Sequence, residues 1–563
     1  MRLENSVAVI KYLIASILVG VILGIGGAFA AQGFRSGIVI ISNYAEKLFG
    51  QNPNFLFYLI TLSVALILVH YSRVLVNGKP FQSVADSIYL AHKSNNETDL
   101  KVGFISTLAA FFSASGGASI GQYGPLVHFG TTLGAWLKKT VPFNFTPDLY
   151  IGAGVAASIS SGFGAPLAGL IFAHEAILRH YSHKSILAIA TASGISFAVS
   201  TGIWGDTNII NVSSENFNLL LMLVISFLAG PIFGLIAIIY MKSLLLFADL
   251  ANSPKVKVFY KYSFCILSLS IIGHFMPEVM GLGTETVSGI LYSSYTLIFL
   301  IIILLGKIIA TSISLNFGFF GGVFSPAILV GAAAGAVVSA LLVNLGIFED
   351  FQQALVISGI AAVAGAVIGA PICMVIIVLE LTNSYAYALS SLVGLAISVG
   401  YVQVRFGSSY FDVQLLNRGI DISDGRTGLF MTETDILRFA DPNFNTIKEN
   451  ETVADAISLM SKIDQSELIV VNQSGEFVGK INSLSLFNKK GPLSSVDVID
   501  KDCVFIKHDA SVQSAMEIAS DFVGEIIPIV QTDQNKAVAI ITEGAIFQAY
   551  LSKQSQTVEM EKR

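Results

Sequence analysis

Between Phe104 and Leu137 the chain runs 34 residues without a formal charge, yet glycine and proline break that run at Gly116-Gly117, Gly121 and Gly124-Pro125. So long an apolar stretch belongs in a bilayer, where about 20 residues already suffice for a spanning helix. Backbone that leaves the helix at membrane depth survives only where protein buries it or where it lines a watery cavity. The segment is therefore neither a plain anchor nor a soluble core, and its breaks point to a transport path. Segment 318–347 is built the same way, with breaks at Gly318, Gly321-Gly322 and Ser325-Pro326.

The two segments correspond residue by residue. At an offset of 201, Gly117, Gly121, Pro125, Gly130 and Gly134 match Gly318, Gly322, Pro326, Gly331 and Gly335. At an offset of 205, Gly154, Ala156, Ala157, Gly164-Ala165-Pro166 and Glu175 match Gly359, Ala361, Ala362, Gly369-Ala370-Pro371 and Glu380. Two ordered frames of matches mark an internal repeat rather than the coincidences of a Gly/Ala-rich chain. Corresponding broken segments in two halves point to a binding site at their interface near the bilayer midplane. In this register Tyr123 is the mate of Phe324. The spacing leaves open whether the halves run parallel or inverted.

Charge divides the chain once more. Residues 421–563 carry 22 acidic and 13 basic groups, a local net of -9, whereas the first 420 residues carry 16 and 19, a net of +3. Soluble domains average about 25% charged residues, a density only the tail reaches. A membrane body of residues 1–420, with halves of about 1–205 and 206–420, thus precedes an acidic soluble domain of residues 421–563. Disorder and a single soluble enzyme are excluded. The apolar run from Tyr12 past Ala31 is long enough to span and lacks a cleavage site, so it reads as a retained first helix. Cys265, Cys373 and Cys503 fit neither a disulfide framework nor metal-ligand spacing. The tail reads as two similar units, about 440–490 and 498–553. Each is expected to run strand, helix, strand, strand, the paired strands being Glu467–Val471 with Glu476–Ile481 and Ile526–Val530 with Ala537–Ile541.

The chemistry follows from the breaks. Free N–H groups and the dipole make a helix N-terminus an anion site. Glycine admits a ligand close to the backbone, and proline fits the first helical turn because its missing N–H costs nothing there. Gly121–Pro125 and Gly321–Pro326 both have that make-up. No carboxylate lies among them, which disfavours a cation path. Close helix packing accounts for glycines in small-xxx-small runs but does not require the prolines.

These residues resemble a known family. Gly322-Val323-Phe324-Ser325-Pro326 matches the GxFxP signature of the CLC chloride channels and antiporters, and Gly121-Gln122-Tyr123-Gly124-Pro125 resembles their G(K/R)EGP signature. Gly164-Ala165-Pro166 through Glu175 resembles the following helix, and Arg418-Gly419-Ile420 the end of the last membrane helix. The tail resembles the paired cystathionine-β-synthase-type (CBS) domains that many members carry. The resemblance implies an α-helical polytopic fold of two inverted-topology repeats with an α/β CBS pair. It also implies a homodimer in the cell (inner) membrane with cytoplasmic termini, and one chloride pathway per subunit. The amides meeting the anion would be those of Tyr123, Gly124, Val323 and Phe324. No cofactor, metal or nucleic acid is implied.

The departures from the pattern bear on mechanism. The family's gating, proton-carrying glutamate is Tyr123 here, preceded by Gln122 in place of a basic residue. A phenol with a pKa near 10 does not cycle its proton near pH 7, though it can plug a path or donate its O–H to an anion. The inner proton-relay glutamate, one residue past the position of Glu175, is Ala176. The first family motif is degraded to Asn77-Gly78-Lys79-Pro80-Phe81, and counting from Asp86-Ser87 sets Lys79 at the anion-coordinating serine. There Lys79 either holds the anion or faces the cytoplasm as an ordinary charge. The family's anion-binding tyrosine falls on Phe411 by counting, with Tyr410 beside it. In the CBS pair, an acid that would hold a nucleotide ribose is missing from both Gly479–Ser485 and Thr542–Ala545, which argues against nucleotide binding.

His174, His180 and His183 suit a polar membrane surface better than a metal site, and His128 suits a hydrogen bond within the bundle. The expectation is passive chloride transport gated by Tyr123, by a channel or uncoupled uniporter. Its rivals are a proton-coupled antiporter using an acid such as Glu175 or Glu380, a CBS-regulated divalent-cation transporter, and, remotely, a membrane enzyme.

Overall fold

The computed structural model describes residues 2–49, 54–93, 98–141, 143, 145–181, 183–205, 217–253, 257–292, 295–346, 351–422 and 425–562, the side chains of 2–8, 183 and 556–562 aside. The chain forms two compact units, Met1–Gly419 and Ile420–Arg563. The expected junction of the two repeat halves at 205/206 falls at the edge of the described residues, and the His183 side chain lies outside them.

The first unit is helical throughout. Its first half holds α1 (Arg2–Phe49), α2 (Phe55–Leu75), α3 (Val84–His92), α4 (Leu100–Ser115), α5 (Tyr123–Thr140), α6 (Pro147–Phe163), α7 (Pro166–Phe172) and α8 (His183–Trp204). The second holds α9 (Leu219–Ala251), α10 (Val258–Phe275), α11 (Thr284–Tyr292), α12 (Leu297–Phe317), α13 (Phe324–Asn344), α14 (Gln352–Ile368), α15 (Pro371–Thr382), α16 (Tyr385–Arg405) and α17 (Tyr410–Leu416). Among the described residues, eight helices are long and apolar enough to cross a membrane. Their starts are set by capping side chains: Asn54, Thr296 and Ser384 accept from the N–H groups of Phe57, Phe299 and Tyr387, each cap worth about 1 kcal/mol. Leu220, Phe259 and Ile298 stand more than 70% exposed, on surface suited to lipid rather than water.

The repeat seen in the sequence is a physical interlock. α6 ends on Gly164 in the left-handed region (φ 71°) and Pro166 opens α7, while α14 ends on Gly369 (φ 77°) and Pro371 opens α15. Each short helix is then capped by the opposite half. The N–H groups of Ile372 and Cys373 donate to the Glu175 carboxylate at 2.9 and 2.7 Å. Those of Leu167 and Ala168 donate to Glu380 at 2.7 and 2.8 Å. A negative charge suits a helix start, where four N–H groups lack intrahelical partners.

The small residues of the repeat divide into two groups with different tasks. Gly130 lies against the Gly154 carbonyl and Gly331 against the Gly359 carbonyl, so close that a Cβ at any of the four would overlap backbone of its neighbour. Gly134 and Gly335 sit likewise on the carbonyls of Tyr150 and Leu355. These six pack α5 on α6 and α13 on α14. Gly121 and Gly322 instead meet at the crossing of the two breaks.

Two sequence expectations need correction here. The helix read from Gly164 through Glu175 is α7 followed by a π-helical turn, Ala173–Leu178, which closes on Arg179 at φ 56°. The last membrane helix stops at Leu416, leaving Arg418-Gly419 in a turn whose Arg418 guanidinium pairs with Asp86 at 2.7 Å.

The second unit adds α18 (Gly425–Glu433) and twice the same small sheet. β1 (Thr446–Lys448) and α19 (Val453–Ile463) precede β2 (Glu467–Val471) and β3 (Phe477–Asn482). β4 (Ile506–Lys507) and α20 (Val512–Ala519) precede β5 (Ile527–Gln531) and β6 (Lys536–Ile541), with α21 (Glu543–Lys562) last. In each sheet the first two strands are parallel and the last two antiparallel. A buried ion pair, Lys480 Nζ to Glu467 at 2.9 Å, joins the copies, since Glu467 also accepts from the N–H groups of Glu525 and Ile526. The Phe522 ring covers the ammonium at 4.8 Å.

Candidate functional site

At the centre of the membrane unit the two breaks hydrogen-bond to each other. The N–H of Gly121 donates to the carbonyl of Gly322 at 2.7 Å, and that of Gly322 to Gly121 at 2.9 Å. This antiparallel bridge needs glycine, because a Cβ at Gly121 would lie 2.8 Å from the Gly322 carbonyl oxygen. The N–H of Gln122 adds a bond to Ser325 Oγ at 3.2 Å. Directly after the bridge, α5 starts at Tyr123 and α13 at Phe324, so two helix N-termini from the two halves open side by side.

Beside them lies a cavity of about 110 Å³. Its wall includes Gly124, Val323, Tyr410 and Phe411, four of the residues expected to meet an anion, together with Ser83, Asn316 and Gln414. Gln414 Nε2 donates to the Tyr410 hydroxyl at 3.1 Å. Among the described residues, the cavity wall contains no Asp or Glu.

Ser83 was not singled out in the sequence, and Lys79, which was, stands elsewhere. Ser83 is the N-cap of α3, in a capping box with Asp86. Lys79 is 59% exposed and pairs with Asp99 at 2.7 Å, which holds that carboxyl below its usual range. The signal that would have found Ser83 is Ser83-x-x-Asp86 ahead of an apolar run, which marks a helix start. Two further residues escaped notice. Tyr240 on α9 is buried and donates its hydroxyl to the Val323 carbonyl at 3.2 Å. Lys307 on α12 is fully buried, and its ammonium donates to the carbonyls of Val279 and Gly281 at 3.1 and 2.9 Å. A single lysine inside an apolar spanning run is a signal in its own right.

Tyr123 opens α5, one residue before Gly124 of the first cavity's wall. Its side chain is 1% exposed and its ring stacks on Phe163, centroids 3.7 Å apart and planes 13° from parallel. Phe324, its repeat mate, meets it edge-on at 5.4 Å. The Tyr123 hydroxyl is buried and makes no hydrogen bond of normal geometry among the described residues. The ring walls a second, apolar cavity of about 30 Å³ with Phe163, Ser325 and Thr284. Leu282, Gly283 and Thr284 also line a third cavity, of about 400 Å³, between the C-terminal end of α1, residues 114–117 and residues 280–286, with Glu46 and Glu285 on its wall. Tyr123 and Phe163 thus line the second cavity, while the next residue, Gly124, lines the first.

The remaining candidates make contacts elsewhere. Ala176 lies buried in the π turn. Glu175 and Glu380 are occupied as caps. His128 Nδ1 pairs with the Ser87 hydroxyl at 3.0 Å, and His180 Nε2 with Asp148 at 3.2 Å.

Residues 82–403 match the family model for the voltage gated chloride channel, and residues 432–488 and 495–552 each match that of the CBS domain. The chain is 26% identical over 331 residues to the H(+)/Cl(-) exchange transporter ClcA of Vibrio parahaemolyticus, covering 57% of this chain and 69% of that one. It is 25% identical over 421 residues to the chloride channel protein CLC-f of Arabidopsis thaliana, covering 68% and 54%. Its fold superposes on a slow cyanobacterial Cl-/H+ antiporter with a TM-score of 0.63 at 21% identity, over 72% of this chain and 98% of that one. A eukaryotic CLC transporter gives 0.63 at 17%, over 95% and 98%. The family match extends over more than half the chain and holds both broken segments, so the protein belongs to the CLC family of chloride-transporting membrane proteins, with a C-terminal CBS pair.

Proposed function

We propose that this protein carries chloride passively, as a channel or uncoupled uniporter, with the Tyr123 ring as its gate. The observation that supports this most is the ring itself, buried and stacked on Phe163 beside the 30 Å³ cavity, at the position where the family pattern has a carboxylate. A phenol keeps its proton near neutral pH, so swinging the ring opens the path without carrying a proton across.

Chloride entering the 110 Å³ cavity sheds water against the amides of Gly124, Val323 and Phe324 and the hydroxyls of Ser83 and Tyr410. Donors fixed in a low-dielectric site hold an anion without formal charge. Displacing Tyr123 from Phe163 then joins this cavity to the one beyond. The protein works as a homodimer with one path per subunit.

Proton-coupled exchange is the competing reading, raised by the names of the relatives. Its best acids, Glu175 and Glu380, each already accept two backbone N–H bonds at a helix start. Chloride efflux from liposomes, recorded together with external pH, separates the two. The expected result is efflux without proton movement and a reversal potential that follows chloride alone. Proton uptake in fixed ratio to chloride would overturn the passive reading.

A further inference from the structure

Lys307 is a charge in a place where charge is costly. It lies midway along α12, is wholly buried, and donates to the carbonyls of Val279 and Gly281 at 3.1 and 2.9 Å. Among the described residues no carboxylate lies within ion-pair distance of its Nζ. Burying an ammonium without a counter-charge costs far more than burying a neutral donor. An ionisable side chain inside a spanning helix therefore points to function before fold.

The two carbonyls do not depend on it. Neutral bonds already tie down the loop they belong to. Ser119 Oγ donates to the Val279 carbonyl at 2.8 Å, the Gly281 N–H to the Gly117 carbonyl at 3.0 Å, and Thr286 Oγ1 to the Glu278 carbonyl at 2.8 Å. What an ammonium adds is its field, and that field falls on two of the cavities. Gly283 lines both the 30 Å³ and the 400 Å³ cavity. It carries no side chain, and a Cβ built there would lie 3.5 Å from Lys307 Nζ. With one C–C bond added, the ammonium stands within about 5 Å of the Gly283 Cα, behind backbone that the two cavities share.

The two cavities treat an anion differently. Glu46 and Glu285 on the wall of the 400 Å³ cavity repel it. The 30 Å³ cavity beside Tyr123 has no charged residue among those that line it, so an ion entering gives up water for little in return. In such a dry setting a nearby fixed charge acts with little screening.

We propose that Lys307 sets the affinity for chloride in the passage beside Tyr123, its ammonium drawing the anion from the acid-lined 400 Å³ cavity toward the ring across the bare backbone of Gly283. Lys307 is a positioning charge and does not itself touch the ion. The proposal deepens the reading above: it rests on chloride passing Tyr123, but not on the absence of proton coupling.

The test uses the full-length protein in liposomes, with flux measured against chloride concentration and folding checked by thermal unfolding. K307M removes the charge at similar length. It is expected to raise the half-saturating chloride concentration about tenfold while saturating flux stays within about twofold of wild type. K307R keeps the charge, though not the shape, and stays within about threefold. E285Q removes a repelling charge from the same wall. Alone it lowers the half-saturating concentration, and in the K307M background it brings that value back toward wild type, a response that a merely structural loss at position 307 does not give. Unchanged half-saturation in folded K307M overturns the proposal, whatever happens to saturating flux. So does a rise that K307R shares in full or that E285Q leaves untouched. Should K307M not fold, K307R and E285Q decide. Half-saturation near wild type in the first and lowered in the second supports the proposal, and a tenfold rise in K307R or no change in E285Q overturns it. Proton movement coupled to chloride in the wild type would sink the passive reading and leave this test intact. Absence of chloride flux in the wild type would sink both.

Discussion

At the scale of single residues, Tyr123 carries two properties that substitution separates. Its ring blocks, and its hydroxyl donates. Y123A removes the block, and chloride efflux is expected to rise about tenfold, the effect of taking roughly 1.4 kcal/mol of aromatic contact off the barrier. Y123F keeps the stack on Phe163 and so gives no such rise. Equal efflux for Y123A and wild type would show that the barrier lies elsewhere. The identity of this residue was legible in the sequence because the repeat register and the motif both converge on position 123. Lys79 shows why other positions were not. Counting back from Asp86-Ser87 along a degraded motif runs past the start of α3 to Lys79, whereas the residue that caps α3 and lines the cavity is Ser83, three before Asp86. Lys307 stood out as a charge in an apolar run, but its partners, Val279 and Gly281, were beyond reach because they lie 28 and 26 residues away.

At the scale of elements, the interlock of the two halves is the testable feature. E175Q replaces one accepting oxygen by a donor facing the N–H groups that open α15, and E380Q does the same at α7. Each is expected to cost about 1–3 kcal/mol, read as a lowered unfolding midpoint of similar size in both variants, without any change in proton flux. A loss of proton movement confined to one of them would revive that residue as a carrier. G154A and G359A probe the tight helix contacts. Each puts a methyl group into a backbone carbonyl that cannot yield, so loss of monodisperse protein is expected from either, an overpacking cost of about 3 kcal/mol or more. The sequence made the pairing of halves plain, since the matches recur in order. It did not reveal that Glu175 and Glu380 cap each other's helices, because an exchange across halves leaves no mark in local spacing.

At the scale of the whole molecule, a charge-poor helical unit and a charge-rich α/β unit each close their own core. The second unit depends on one buried pair, Lys480 with Glu467. E467A leaves the ammonium without its partner under Phe522, a change expected to cost about 3–5 kcal/mol. Limited proteolysis of the full chain should then cut within residues 425–562 well before the membrane unit. Equal protection of both units would show that the pair is dispensable. The division itself was readable from charge density, and the doubled strand order from alternation and turn residues, with strand ends displaced by a single residue. The joining of the two sheets by a lysine and a carboxylate was not, because Glu467 and Lys480 look like ordinary strand residues until the second copy folds over them.

The reciprocal caps also bear on how the protein is made. The N–H groups that begin α7 are completed by Glu380, 213 residues further along from Leu167. At about 5–20 residues per second, the first half waits on the order of 10–40 s in the bilayer before the ribosome delivers that carboxylate. A chain that ends early never receives it, and keeps two bare donors at membrane depth for quality control to find. The same contact that steadies the finished transporter thereby serves as a check that synthesis reached the second half.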